Sequence, residues 1–171
     1  GAIFHNFINI FESQIEKSAT FDNSIFDENL EFIRLRVSED LNFKNVLFKK
    51  KVRLFGTKVS KHLRIINSIF KEEANFERVD INDATDFRDT IFNKKAIFND
   101  ADFKDWVIFF NTRFCEECSF FGTRFDGQVR FNRDRIERDL NKYGLEQFTV
   151  SFDANVIFEN SVFQKQVIFD G

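Results

Sequence analysis

The chain has 171 residues, of which 27 are Phe, and it contains no Pro and no Met. A net charge of −3 excludes functions that depend on a strong overall charge, such as non-specific binding of nucleic acid. Two Cys exclude a framework of several disulfides, and no apolar run approaches the roughly 18 residues of a membrane span. So many Phe rings must be buried, because their exposure would aggregate the protein.

An internal repeat runs without a gap from residue 2 to residue 139. Each repeat is a pentapeptide followed by a hexapeptide, and the third residue of each half is Phe, Ile, Leu or Val. A small or aliphatic residue usually stands two places earlier, as Ala96 and Ala101 do before Phe98 and Phe103. Helices repeat at about 3.6 residues and ordinary strands at two. Alternating steps of five and six therefore indicate a solenoid whose short sides each bury one large and one small residue.

The pattern of charges indicates how many repeats form one coil. Opposite charges are frequent and like charges rare at a spacing of two repeats, as in the pairs Asp27–Lys49 and Arg64–Asp86. No such preference exists at a spacing of one repeat. Residues one coil apart lie side by side at about 4.8 Å, where opposite charges attract. The sequence therefore predicts a four-sided coil made of two repeats, with sides of five, six, five and six residues.

The segment Ala96-Ile97-Phe98-Asn99-Asp100-Ala101-Asp102-Phe103 resembles the pentapeptide-repeat family, whose unit is a small residue, any residue, Leu or Phe, and two further residues. The resemblance extends over residues 2–139 and again over residues 150–169. It implies an all-β fold, a right-handed quadrilateral parallel β-solenoid with coils of about 22 residues. The extra residue in every second unit departs from the family's usual coil of four pentapeptides.

Outward positions next to the central residues form apolar stripes that are candidate interaction surfaces. On one face these positions hold Ile3, Ile25, Leu47, Ile69 and Ile91, followed by Arg113 and Arg135. The other apolar candidates are Ile97 round the corner from Ile91, the cluster of Trp106, Ile108 and Phe110, and the group Phe11, Ile33 and Phe55. Stacking of β-branched residues along a wall explains such stripes without a partner. The alternative is a docking surface for a protein partner or for a second copy of the chain.

Residues 41–71 contain nine Lys or Arg and no Asp or Glu. Such a segment resembles a nucleic-acid patch. However, it wraps round the column for more than one coil, and acidic coils lie on both sides of it. We therefore interpret it as a belt of cations that pair with neighbouring coils.

The remaining candidates for chemistry do not form a site. Cys115 and Cys118 have the CxxC spacing, but Cys118 falls on an inward position and Cys115 on an outward one, which does not suit a metal or redox pair. His5 and His62 are the only histidines and lie far apart along the column, so no set of nucleophile and base follows. We predict no catalytic site, no metal site and no cofactor.

The repeat breaks after Asp139. Residues 140–149 are predicted to be an insertion or a degenerate coil, and residues 150–171 a final coil. A protruding loop over residues 134–149, which carries Tyr143, is a further candidate for an interaction. The chain opens on Gly1 and stops within a repeat at both ends. We therefore expect either a piece of a longer protein or ends that stack on a second copy.

The leading functional hypothesis is a non-catalytic protein-interaction or scaffold module. We expect a protein partner or self-association, and no nucleic-acid partner. Some pentapeptide-repeat proteins of the quinolone-resistance group bind DNA gyrase by imitating duplex DNA, and the resemblance makes a modulator of DNA gyrase one alternative. The alternating charges of this column argue against such mimicry. A soluble regulatory domain of a larger protein is the other alternative. Because no signal peptide or membrane span is visible, we expect a cytoplasmic location.

Overall fold

The computed structural model describes residues 1–131 and 150–169. These residues form four parallel sheets of seven short strands each, and the chain visits the sheets in the order A, B, C, D before it returns to A. The described part of the chain is all-β and contains no helix. This confirms the predicted four-sided β-solenoid.

The strands of each sheet lie in neighbouring coils. Sheet A contains Ile3–Phe4, Ile25–Phe26, Leu47–Phe48, Ile69–Phe70, Ile91–Phe92, Arg113–Phe114 and Ser151–Phe152. Sheet B contains Ile8–Phe11, Leu30–Ile33, Val52–Arg53, Ala74–Asn75, Ala96–Ile97, Cys118–Ser119 and Val156–Ile157. Sheet C contains Gln14–Ile15, Arg36–Val37, Lys58–Val59, Asp80–Ile81, Asp102–Phe103, Arg124–Phe125 and Val162–Phe163. Sheet D contains Ala19–Thr20, Leu41–Asn42, Leu63–Arg64, Thr85–Asp86, Val107–Ile108, Val129–Arg130 and Val167–Ile168.

The register of the sheets confirms the predicted coil of two repeats up to residue 131. Phe48, for example, is the ladder partner of Phe26 on one side and of Phe70 on the other. The separation is larger before the last coil, where Arg113 pairs with Ser151. The position next to Arg113 is thus Ser151 and not Arg135, which lies outside the described residues. The predicted boundary between residues 139 and 140 also lies outside them and stays a prediction.

The two kinds of side differ in how their corners are built. Every described residue with a positive φ is the last residue of a five-residue side, with φ between 45° and 66°. These residues are Glu12, Asn23, Arg34, Asn45, Gly56, Asn67, Arg78, Asp89, Asp100, Asn111, Gly122 and Asn160. Most of them are Asn, Asp or Gly, which tolerate the left-handed conformation best. The extra residue of a six-residue side lets the chain turn without that conformation, which explains the alternation of five and six.

Stacked Phe rings fill the centre of the column. In sheet A the inward Phe residues stack from coil to coil with ring centroids 4.5–5.2 Å apart. Shorter stacks rise from sheets B and D, for example Phe76–Phe98 at 5.0 Å and Phe87–Phe109 at 5.2 Å. Burial of each ring stabilises the fold by about 2 kcal/mol or more. The stacks therefore contribute far more than the charges on the surface.

Small inward residues that follow a left-handed corner make a recurring hydrogen bond. Their hydroxyls donate to a central carbonyl of the preceding coil at 2.6–3.0 Å. The donors are Thr57, Ser68, Thr90, Thr112, Thr123 and Ser161. Thr85 is buried at the start of a sheet D strand, among Leu and Val, and its Oγ1 has no hydrogen-bond partner.

Ion pairs between coils confirm part of the charge pattern. Asp27 and Lys49 lie 2.8 Å apart, as predicted. Arg64 and Asp86 are ladder partners, as predicted, but they do not pair with each other: Arg64 binds Asp40 at 2.8 Å and Asp86 binds Arg88 at 2.6 Å. The reason is geometric. Residues two apart in a strand share a face, so Arg88 competes with Arg64 for the carboxylate of Asp86.

Candidate functional site

Five aliphatic side chains form a continuous row on the outer surface of sheet A. Ile3, Ile25, Leu47, Ile69 and Ile91 are direct ladder partners in successive coils. We refer to them as the aliphatic stripe. Ile3 is 57% and Ile69 is 37% exposed, and the other three are half-buried. The row ends at Arg113, the ladder partner of Ile91.

Polar columns border the aliphatic stripe on both sides. On one side the amides of Asn23, Asn45 and Asn67 are linked from coil to coil by hydrogen bonds of 2.8 Å. On the other side Asp27 lies 2.8 Å from Lys49 Nζ and 2.7 Å from His5 Nδ1. The hydrogen bonds of Lys49 and His5 lower the pKa of the Asp27 carboxyl. The stripe is therefore an apolar row within an ordered polar frame.

Ile97 lies on sheet B, round the corner from Ile91, and its ladder partners are Asn75 and Ser119. The corner between the two isoleucines carries Lys94 and Lys95. Each lysine forms an ion pair of 2.6 Å with a glutamate of the next coil. The sequence placed Ile97 correctly on an outward position, but charged residues separate it from the stripe.

Ile108 lies in a sheet D strand, and Trp106 and Phe110 lie just before and just after that strand in the same coil. Trp106 is 44% exposed, and the guanidinium of Arg130 lies 4.4 Å from the centre of its ring. Charged residues, Asp86 and Arg130, are the ladder partners of Ile108. This cluster is thus one coil high, whereas the aliphatic stripe spans five. Tyr143, the remaining candidate, lies outside the described residues.

Phe11, Ile33 and Phe55 follow one another up the corner after sheet B. Phe11 is 58% exposed, while Ile33 and Phe55 are half-buried. Phe11 and Ile33 are ladder partners. The guanidinium groups of Arg53 and Arg78 lie 4.9 Å and 5.7 Å from the ring centre of Phe55. Cations therefore cover the upper end of this apolar group.

Comparison with known proteins supports the repeat that the geometry displays. Residues 65–113 match the family model described as pentapeptide repeats, in nine copies. The matched coils belong to the same four sheets as the rest of the described solenoid. Residues 65–113 thus carry pentapeptide repeats, and the solenoid of four parallel sheets is consistent with a pentapeptide-repeat protein. Comparisons with curated proteins and with solved structures found no significant match.

The basic belt, residues 41–71, is partly paired. Five of its cations form ion pairs with acids of other coils at 2.8–3.9 Å. They are Lys49, Lys51, Lys58, Lys61 and Arg64. This pairing supports the interpretation of residues 41–71 as ladder cations.

Asp40 is the carboxylate with the strongest set of partners. Its oxygens lie 3.0 Å from His62 Nδ1 and 2.8 Å from an Arg64 nitrogen. Burial alone raises the pKa of Asp40, but the hydrogen bonds from Arg64 and His62 outweigh it and lower the pKa to about 2. Asp40 thus links its own coil to the next one through His62 and Arg64. Across the described ranges, no group of three or more His, Cys, Asp or Glu is placed to hold a metal ion.

The two cysteines lie on different sides of the wall. Cys118 is fully buried in the core, and burial raises the pKa of its thiol well above the usual value. Cys115 is half-buried, with its sulfur 3.9 Å from Asn93 Oδ1. The repeat predicted this arrangement, and it does not bring the two sulfurs together. Residues 1–131 and 150–169 contain no helix long and apolar enough for a membrane crossing.

Proposed function

We propose that this β-solenoid is a rigid, non-catalytic scaffold of the pentapeptide-repeat kind that associates through the aliphatic stripe. The observation that carries the proposal is the stripe itself, five aliphatic side chains in ladder register on one wall. Apolar rows of this extent, rimmed by polar residues, are typical of interaction surfaces. The other apolar groups are one coil high or partly covered by Arg side chains.

A second copy of the chain is the partner that best matches the stripe. The side chains of the stripe recur at the spacing of parallel strands, about 4.8 Å. Another copy presents the same row at the same spacing, so the two rows can interdigitate along their whole length. Such a self-complementary contact is the usual form of a two-fold dimer. Each aliphatic side chain that passes from half-exposed to buried adds about 1 kcal/mol.

The alternative of a DNA mimic has less support from the described surface. Mimicry of duplex DNA requires evenly spaced negative charges. Here acids alternate with cations along the column, as in the pairs Lys94–Glu116 and Lys95–Glu117. A regulatory domain of a larger protein and a cytoplasmic location stay predictions.

The first experiment measures the solution mass by size-exclusion chromatography with light scattering, at several protein concentrations. We expect a dimer for the unmodified protein and a monomer for Leu47→Asp, because a charge would be buried without a partner at the interface. Asn75→Asp is the matched control, since it adds the same charge at an outward position of sheet B and retains its acceptor oxygen. It should remain dimeric.

Leu47→Thr separates the interface from simple packing along the wall. Threonine has a β-branched side chain that suits a strand, but the substitution removes most of the apolar surface of Leu47. If Leu47→Thr weakens the dimer while its resistance to urea stays unchanged, the stripe acts as an interface. A monomeric unmodified protein at all concentrations would contradict the proposal, as would a Leu47→Asp variant that remains dimeric.

A further inference from the structure

A notch interrupts the corner between sheets B and C. The aliphatic stripe lies on sheet A, which is opposite sheet C in the four-sided column. The left-handed corner residues of the first five coils are Glu12, Arg34, Gly56, Arg78 and Asp100. Gly56, with φ of 64°, contributes no side chain at the middle of this column. The gap opens into a surface cavity of about 260 Å³, lined by Arg34, Arg36, Phe55, Gly56, Lys58 and Arg78.

Four of the six lining residues are cations, and none is acidic. The acids that pair with Arg34 and Arg78 are not among the lining residues. Glu12 binds Arg34 from one coil below at 2.7 Å. Arg78 lies 3.7 Å from Asp100 one coil above and 3.9 Å from Glu77 in its own coil. The two arginines are therefore anchored from outside, while the space between them stays open.

In sheet C beside the notch, two neighbouring coils carry like charges, although opposite charges predominate at this spacing along the column. Arg36 and Lys58 are direct ladder partners, which places two positive charges side by side. Like charges opposite each other destabilise a sheet. Lys58 binds Asp80 at 2.9 Å, whereas Arg36 has no ion pair among the described residues. An anion between Arg36 and Lys58 would attract both side chains and so offset their mutual repulsion.

We propose that the notch at Gly56 binds a small multivalent oxyanion of the diphosphate type. Arg34, Arg36 and Arg78 supply planar guanidinium groups, which pair with phosphate oxygens through two hydrogen bonds each. Lys58 adds a point charge at the edge of the cavity. Because the whole chain carries a net charge of −3, binding would depend on this local arrangement and not on a general attraction of anions. A second cavity adjoins the notch and shares Arg36 and Lys58 with it, but Asp80 also lines that cavity, so we place the anion in the notch.

The test is titration calorimetry of the full chain with sodium diphosphate at low ionic strength, supported by the melting temperature. We expect one bound diphosphate per chain and a melting temperature that rises with ligand. Arg36→Gln should weaken the affinity at least about tenfold, since hydrogen bonds to a charged group are lost. Lys44→Gln makes the same change of charge at an exposed position after sheet D and should stay within about twofold of the unmodified protein.

Gly56→Asn tests the shape of the notch. Asparagine occupies the equivalent left-handed position in other coils, such as Asn45 with φ of 56°, so the variant should fold normally. Its side chain would fill the gap between Arg34 and Arg78 and should reduce diphosphate affinity at least about tenfold. The proposal is overturned if the unmodified protein shows neither heat of binding nor a shift in melting temperature. It is also overturned if Lys44→Gln weakens binding as much as Arg36→Gln does.

Discussion

The buried hydroxyls of Thr85 and Thr90 lead to opposite predictions for the same substitution. Both residues are fully buried at small inward positions. Thr90 Oγ1 donates to the carbonyl of Ile65 at 2.6 Å, whereas Thr85 Oγ1 has no partner. The ladder partners of Thr85 are Leu63 and Val107, so a methyl group in place of its hydroxyl would continue an aliphatic column.

The magnitudes follow from the cost of burying a polar group. An unpaired buried hydroxyl destabilises the folded protein by about 1–3 kcal/mol, so Thr85→Val should stabilise it by roughly 1–2 kcal/mol. Thr90→Val removes one hydrogen bond and leaves a buried carbonyl without its hydroxyl donor. We expect it to destabilise the protein by about 1–2 kcal/mol. The two variants should thus differ by roughly 2–4 kcal/mol although they lose the same atom.

Urea unfolding followed by circular dichroism measures both variants against the unmodified protein. The midpoints should move in opposite directions while the slope stays constant, which is the sign that only stability changed. Equal destabilisation of both variants would refute the reasoning, because it would mean that the partner of the hydroxyl does not decide its contribution. A changed slope would indicate loss of cooperativity between coils, which repeat proteins can show.

Three further predictions concern a corner, a carboxylate and a thiol. Asn45→Ala should be less stable than Asn45→Gly by roughly 1 kcal/mol, because alanine is strained at φ of 56° whereas glycine is not. A higher urea midpoint for Asn45→Ala than for Asn45→Gly would contradict this prediction. The low pKa of Asp40, about 2 against an ordinary 3.8, means that its contribution is complete above about pH 4 and is lost as the pH falls through 2. We therefore expect Asp40→Asn to be less stable at neutral pH by about 1 kcal/mol and the difference to vanish near pH 2 in unfolding curves. A thiol reagent should label Cys115 in the folded protein and Cys118 only in urea, because Cys118 is buried and the pKa of its thiol is raised. Labelling of both cysteines under native conditions, detected by mass spectrometry, would contradict this prediction.

The sequence was sufficient to predict the coil, because large inward residues recur at fixed steps. Phe26, Phe48 and Phe70 follow one another at steps of two repeats and stack as that spacing requires. Individual ion pairs were harder to predict. The carboxylate of Asp86 can be reached from a neighbouring coil or from Arg88 in its own coil, and sequence spacing cannot rank the two. Nor does the alternation of five and six reveal that the shorter sides end in a left-handed residue.

The candidate surfaces were predictable to different degrees. Outward positions follow from strand alternation, so the sequence alone assigns Ile25, Leu47 and Ile69 to one row. The ladder register confirms this row. The notch could not be assigned in this way, because it depends on a missing side chain. A signal was present in the sequence, since Arg34 and Arg78 stand one coil on either side of Gly56. Both arginines fall outside the basic segment of residues 41–71, so the composition of that segment does not reveal the notch.

At both proposed surfaces, outward residues depart from what the fold itself favours. A solenoid wall is stabilised by β-branched residues and by opposite charges in neighbouring coils. Leu47 is not β-branched, yet it stands at the middle of the aliphatic stripe. Arg36 and Lys58 repel each other, yet they are ladder partners beside a cavity. Neither feature strengthens the wall, so packing alone does not account for either. A bound second copy in one case and a bound anion in the other would each supply the interaction that the wall lacks.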